Sequence, residues 1–123
     1  MIYPIVVYGH PVLRKVATEI TPDYEGLSTL ISDMYDSMNK SEGIGLAAPQ
    51  IGKSIRLFVI DADVMKDEHP ELAGFRKTFI NAHIIDQQGE PAIYSEGCLS
   101  LPGIHEEVKR PSVITIRYMN EQF

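Results

Sequence analysis

The pattern of apolar positions predicts a helix in the first third of the chain. Between residues 27 and 38, apolar residues recur at the three- and four-residue spacing that puts side chains on one helical face: Leu27, Leu30, Ile31, Met34, Tyr35 and Met38. Thr21 suits the N-cap, and Pro22 suits the first turn, where a missing N–H leaves no bond unmade. Gly43 can end the helix with a positive φ. We therefore predict a helix that begins at Pro22, with Thr21 as its N-cap, and stops within residues 39–43.

Segments rich in apolar and β-branched residues follow, and they predict strands at residues 56–61, 78–85, 92–100 and 113–119. Residues 62–77 are polar and acidic and contain a proline and a glycine, which predicts a surface loop, and residues 87–91 predict a turn. Strands that follow one another through short turns are typical of antiparallel pairing. We expect an α+β fold, with antiparallel strands packed around a helix, in a single domain over residues 1–123.

Composition and charge exclude several classes of protein. The chain has 123 residues, a net charge of −6 and one cysteine, so it cannot form an internal disulfide. An acidic protein binds nucleic acid poorly, because phosphate binding needs a basic face. The longest stretch without a charged residue or histidine is 43–52, shorter than the roughly 18–20 residues of a membrane helix. The N-terminus lacks the basic leader of a signal peptide, so we expect a soluble cytoplasmic protein that binds neither nucleic acid nor membrane.

A first candidate for chemistry is the segment G-I-G-L-A-A-P-Q at residues 43–50. It contains the letters of a dinucleotide-binding fingerprint, but that fingerprint lies between a strand and a helix, and here the helix comes first. Pro49 and Gly52 also disfavour a helix through the segment. Two interpretations stay open. The segment is either a helix end followed by a loop of small residues, or a loop that approaches a ligand closely and offers the amide of Gln50 as a donor.

A second candidate is the segment E-G-C-L-S at residues 96–100. Cys98 can be a small buried hydrophobe, a nucleophile that needs a nearby histidine, or a thiolate ligand to a metal that needs further ligands. The histidines do not decide between these, because they are far apart in sequence: His10, His69, His83 and His105. Residues 105–109 begin like the zinc motif H-E-x-x-H but end in a lysine, so they are not that motif.

Segments 43–50 and 96–100 together resemble the bacterial peptide deformylase family, with the motifs in the right order and at about the right separation. The segments G-H-P-V-L-R at 9–14 and L-P-G at 101–103 support the resemblance, which spans essentially the whole chain. It implies an enzyme that removes the formyl group from the N-terminal formyl-methionine of newly made polypeptides. It also implies an α+β fold with antiparallel strands around a helix.

The resemblance implies a metal centre and oxyanion donors. The metal of the family is Fe²⁺, which Zn²⁺, Ni²⁺ or Co²⁺ can replace, and two histidines and a cysteine hold it. Cys98 matches the thiolate ligand. The Gln50 side-chain amide and the Leu99 backbone N–H match the groups that stabilise the oxyanion.

The resemblance also implies a peptide-binding site. The backbones of Ile44, Gly45 and Gly97 match segments that hold an extended substrate, and Ile44 and Tyr94 match positions in the methionine pocket. Glu96 is expected to hold the loop of Cys98. The implied partners are a formyl-methionyl peptide and the nascent chain at the ribosome.

The third family motif, H-E-x-x-H, should follow Cys98 by roughly forty residues and would supply two ligands and the catalytic glutamate. The sequence stops at Phe123, before the position of that motif. We therefore expect a truncated chain that lacks the C-terminal helix, is inactive and has doubtful metal occupancy. Apolar surface left uncovered by that helix would favour self-association. Two alternatives remain: a peptide-binding remnant without catalysis, and a hydrolase with Cys98 as nucleophile, Gln50 as oxyanion donor and a histidine as base.

Overall fold

The computed structural model describes residues 2–123, and the side chains of all of these except 94, 95 and 101–106. Helix α1 spans Leu27–Lys40. The strands are β1 Gly45–Ala47, β2 Leu57–Asp61, β3 Arg76–Gln88, β4 Ala92–Cys98, β5 Leu101–Arg110 and β6 Val113–Met119. Single turns of 3-10 helix lie at Pro11–Leu13, Ala48–Ile51, Asp63–Met65 and Pro70–Leu72.

The strands form two antiparallel sheets. One has four strands in the order β1-β2-β3-β6, and the other is the pair β4-β5. The connections between sequential strands are turns and loops rather than helical crossovers, as the strand pattern predicts. The expected α+β fold with antiparallel strands and a helix is confirmed.

The core lies between α1 and one face of the four-stranded sheet. The predicted apolar stripe of α1 is buried there, with Met34 and Met38 fully inaccessible to solvent and Leu27 partly buried at the rim. From the sheet, Val59 and Ile80 are also fully inaccessible. At about 25 cal/mol per Å² of apolar surface removed from water, such side chains supply most of the favourable free energy of folding.

Helix α1 begins five residues later than predicted, at Leu27 rather than at Pro22. The Thr21 hydroxyl donates to the Asp23 carboxylate, and the Tyr24 N–H donates to the Thr21 carbonyl at 3.0 Å, which closes a separate turn. Gly26, with φ 74°, has the left-handed conformation that an α-helix cannot contain. A good N-cap pattern at Thr21 thus caps a turn and not the helix.

The strand predictions were right in place and partly wrong in length. The strand predicted at 113–119 coincides with β6. The loop predicted at 62–77 ends where β3 begins, at Arg76. Strand β3 extends beyond the predicted 78–85 at both ends. The short strand β1 and the long strand β5 were missed. A three-residue strand of small residues carries no alternation, and β5 forms because it pairs with β4 in a hairpin.

The N-terminal segment, residues 3–8, crosses the molecule and bonds through its backbone to three distant places. The Tyr3 N–H donates to Ser37 Oγ on α1 at 2.8 Å. The Val6 N–H donates to the Gln50 carbonyl, and the Tyr8 N–H donates to the Ser100 carbonyl, both at 2.8 Å. The segment therefore ties together the two motif segments and the helix. Among residues 2–123, no helix has the length and apolar character required to cross a membrane.

Val59→Ala is expected to lower the free energy of unfolding by about 2 kcal/mol, because it removes two buried methyl groups and leaves a cavity. Urea denaturation followed by circular dichroism measures the change. Val16→Ala is the matched control, since Val16 is 82% exposed and the same substitution there should change stability by less than about 0.5 kcal/mol. Equal losses for the two variants would contradict the position of the core.

Candidate active site

Gln50 is held in a fixed orientation by the turn that carries it. It lies in the 3-10 turn Ala48–Ile51, which is anchored by the fully buried Ala48. Its side-chain Oε1 accepts the Ala47 N–H at 3.0 Å. Because a backbone N–H requires an acceptor, this bond fixes which end of the amide is the oxygen and directs the NH₂ group away from the turn.

The NH₂ group of Gln50 points at the second motif segment. Its Nε2 lies 3.6 Å from Cys98 Sγ and 3.3 Å from Ser100 Oγ, across 48 and 50 residues of sequence. The structure thus brings together Gln50 and Cys98, as the sequence analysis anticipates. It adds Ser100 as a contact that the sequence analysis does not identify.

Cys98 lies at the end of β4 and is an exposed free thiol. The interpretation of Cys98 as a buried hydrophobe is therefore wrong. Three histidines are engaged elsewhere. His10 Nδ1 accepts the Val12 N–H at 3.2 Å, His83 Nε2 lies 2.7 Å from Glu19, and His69 lies 3.6 Å from a carboxylate oxygen of Glu71. The side chain of His105 lies outside the described residues. A histidine base for Cys98 has no support among the other three.

Leu99 packs against Gly43, three residues after the end of α1. A Cβ built on Gly43 would lie 2.7 Å from Leu99 Cδ1 and 3.3 Å from Met38 Cγ. Gly43 is therefore needed for close approach of the two motif segments. The predicted role of Gly43 as a residue with positive φ is wrong, because that conformation belongs to its neighbour Glu42, with φ 59°.

Ile44 and Gly45 belong to an edge of the four-stranded sheet. Gly45 pairs with Ile60, and the Asp61 N–H donates to the Ile44 carbonyl at 2.8 Å. In the order of the described strands β1 is terminal, so its second side is an edge of the type that can pair with an extended peptide. Gly97 is exposed on β4, and no described contact joins it to β1. The side chain of Tyr94 lies outside the described residues.

Glu96 braces the hairpin next to Cys98. Its carboxylate accepts two hydrogen bonds from Arg110 on β5, at 3.1 Å from Nε and 2.8 Å from the terminal nitrogen. These bonds, and then the positive charge of Arg110, lower the pKa of the Glu96 carboxyl. Glu96 therefore stays ionised and holds β4 to β5, which is the supporting role that the sequence analysis expects.

Cys98 is a side chain of this site that could hold a metal ion. Among the residues that the structure describes, no group of three or more histidine, cysteine, aspartate or glutamate side chains lies close enough to hold an ion. A thiolate such as that of Cys98 is a suitable donor for iron or zinc, but catalytic zinc sites use three protein ligands. The described residues alone therefore do not form a metal centre.

Comparison with known proteins places the chain in one family. A family model for polypeptide deformylase matches residues 2–123. Peptide deformylases of Flavobacterium johnsoniae and Flavobacterium psychrophilum are 51% and 52% identical to the chain over its full length, and the chain covers 66% and 67% of them. The chain thus spans about two thirds of the length of these relatives.

Solved structures agree with the family model. The peptide deformylase of Thermotoga maritima superposes with a TM-score of 0.86 and 37% identity, covering 99% of this chain and 76% of that one. The peptide deformylase of Synechococcus elongatus, solved in complex with actinonin, gives a TM-score of 0.85 and 32% identity, covering 98% and 60%.

Gly43→Ala is expected to displace the Leu99 side chain and to lower the free energy of unfolding by about 1–3 kcal/mol, as overpacking does. Chemical denaturation gives the stability, and the methyl resonances of Leu99 report the displacement. Gly45→Ala is the matched control, because its added Cβ would lie 3.7 Å from the nearest atom, an ordinary contact. Unchanged Leu99 methyl shifts in Gly43→Ala would contradict the packing described.

Proposed function

The chain belongs to the polypeptide deformylase family. On that basis we propose that its residues act in a metal-dependent hydrolase, which removes the formyl group from the N-terminal methionine of newly made proteins. The observation that carries the proposal is the Gln50 amide, fixed by Ala47 and aimed at the thiol of Cys98. An amide donor that is oriented before substrate arrives can stabilise charge on the formyl oxygen without reorganising during the reaction. The proposed substrate is a formyl-methionyl peptide, met in the cytoplasm as a nascent chain at the ribosome.

We assign the oxyanion contacts to Gln50 and Leu99. The Gln50 NH₂ group donates one hydrogen bond to the formyl oxygen, and the Leu99 backbone N–H donates a second. Leu99 is suited to this because its side chain packs against Gly43 and the hydrophobic core, which fixes the backbone that follows Cys98. Two fixed donors at one oxygen favour the tetrahedral, negatively charged state over the planar carbonyl.

Cys98 is the proposed metal ligand from this part of the protein. Its exposed thiol lies within reach of the Gln50 amide, so a metal bound there would be next to the oxyanion donors. Fe²⁺ is the proposed ion, with Zn²⁺, Ni²⁺ or Co²⁺ as substitutes, since a soft thiolate suits these better than Mg²⁺. When bound, such an ion activates water for attack on a carbonyl carbon.

The substrate peptide is proposed to bind as an extended strand. Ile44 and the adjoining Gly45, the first residue of the terminal strand β1, present their backbones, and β4 presents that of Gly97. Ile44, which is 40% exposed, and Tyr94 are the proposed contacts for the methionine side chain. Backbone pairing gives affinity for any peptide sequence, and the side-chain pocket selects methionine.

We also propose that the isolated polypeptide of residues 1–123 binds formyl-methionyl peptide but does not hydrolyse it. The observation that favours this second function is that the described residues contain no group of three or more side chains placed to hold a metal ion. Without a held metal ion and an acid–base carboxylate, a binding site retains affinity and loses the rate enhancement.

The test titrates a formyl-methionyl peptide into the 123-residue polypeptide, with formate release measured in parallel. We expect binding, preference for the formylated over the unformylated peptide, and no formate above that of buffer. Gln50→Glu should weaken binding about fivefold, the effect of one hydrogen bond. Gln87→Glu is the control, because it makes the same charge change at an exposed residue of β3. Absence of binding, or equal affinities for the two variants, would overturn the proposed role of Gln50.

The polypeptide is also expected to self-associate through an apolar face of β3 and β6. Ile84 and Ile114 are 57% and 53% exposed, and with other apolar residues they line a groove of about 630 Å³. Its further apolar members are Phe58, Ile60, Phe79, Ala82 and Ile116. Exposed apolar patches of this kind promote association in water.

Sedimentation velocity over a range of concentrations measures this association. The double variant Ile84→Thr/Ile114→Thr should shift the equilibrium towards monomer, while Val64→Thr, at a residue 72% exposed outside the groove, should not. A single monomeric species at every concentration of the unmodified polypeptide would contradict the prediction.

A further inference from the structure

Ser100 forms a junction between three segments of the chain. It is 5% exposed and lies two residues after the end of β4, next to Leu99. Its hydroxyl Oγ lies 3.3 Å from Gln50 Nε2, and its carbonyl accepts the Tyr8 N–H at 2.8 Å. A buried polar side chain is retained in a core only when it is hydrogen-bonded, and here the bond is made to the amide proposed to act on substrate.

The Gln50 amide has two N–H groups, and its Nε2 lies within reach of two acceptors. Ser100 Oγ is a good acceptor, whereas Cys98 Sγ, at 3.6 Å, is a weak one. The terminal torsion of a glutamine is broad and poorly defined by its own energy. The Ala47 N–H holds the planar amide group at Oε1, and the contact of Nε2 with Ser100 Oγ holds it at the other end.

The N-terminal segment holds the two residues at a constant separation. The Val6 N–H binds the carbonyl of Gln50, and the Tyr8 N–H binds the carbonyl of Ser100. Both bonds come from one extended stretch of three residues. The backbone positions of Gln50 and Ser100 are therefore set by a common support, and their side chains meet as a consequence.

We propose that Ser100 is a positioning residue for Gln50. Its hydroxyl takes one N–H of the amide and leaves the other directed towards Cys98, where the formyl oxygen of a substrate would be bound. Ser100 itself touches no substrate. The functional importance of this inference rests on the proposed function of Gln50. The contact between the Ser100 hydroxyl and the Gln50 amide is tested without substrate or metal.

The test follows the side-chain amide of Gln50 by NMR in the 123-residue polypeptide, with glutamine labelled by ¹⁵N. In the unmodified chain, we expect nuclear Overhauser effects between the Gln50 NH₂ protons and the Ser100 β protons. Ser100→Ala should speed solvent exchange of those NH₂ protons about fivefold, because one hydrogen bond is lost. Ser100→Thr keeps the hydroxyl and should restore slow exchange.

Thr78→Val is the matched control. Thr78 is also buried, at 7% exposed, and its hydroxyl binds Tyr35 and Glu121 rather than the candidate site. It should lower global stability and leave exchange at Gln50 unchanged. Absence of the Overhauser effects in the unmodified chain, or equal acceleration in Ser100→Ala and Thr78→Val, would overturn the proposal. Either result leaves the peptide-binding test of Gln50 to be decided on its own outcome.

Discussion

The fixed orientation of one side-chain amide is the constraint on which the candidate site depends. Gln50 accepts a backbone N–H from its own turn and donates to residues 48 and 50 positions away. An amide that turned over would present its oxygen, rather than its N–H groups, to Cys98 and Ser100. Because one end is occupied by Ala47, only the donor end faces the cysteine, and the chemistry open to the site is stabilisation of negative charge.

That orientation is supported by packing at some distance from it. The buried face of α1 and the inner residues of β2 and β3 form a core that fixes where the helix ends. At that end Gly43 admits the Leu99 side chain, so that the two motif segments approach more closely than any larger residue would allow. Arg110 and Glu96 hold the hairpin that delivers Cys98. Each of these contacts restrains the backbone, and the backbone in turn sets the positions of the Gln50 and Cys98 side chains.

The fold was largely predictable from the sequence where apolar residues recur with a regular period and a turn-forming residue marks the end of the segment. The stripe of α1 and the whole of β6 follow from spacing alone. The start of α1 did not, because Thr21 and Pro22 satisfy the rules of a helix cap while Gly26 interrupts the backbone five residues later. Strand β5 forms because β4 pairs with it in a hairpin, and the composition of the segment itself does not reveal that pairing.

The site was predictable only in part, for a related reason. The resemblance to a family directed attention to Gln50 and Cys98, and the structure brings these together. Ser100 escaped notice because its role depends on a side-chain contact across 50 residues. Gly43 was recognised as a necessary glycine, but for its conformation rather than for the space that Leu99 occupies.

The main-chain character of the N-terminal segment has a consequence for how these proteins can diverge. The Tyr8 side chain is 68% exposed while its N–H is bonded, so the link to Ser100 owes nothing to the identity of the residue. Nineteen of the twenty amino acids carry the same donor, and only proline lacks it. The residue at position 8 can therefore be exchanged for any other of the nineteen while the tie to Ser100 persists.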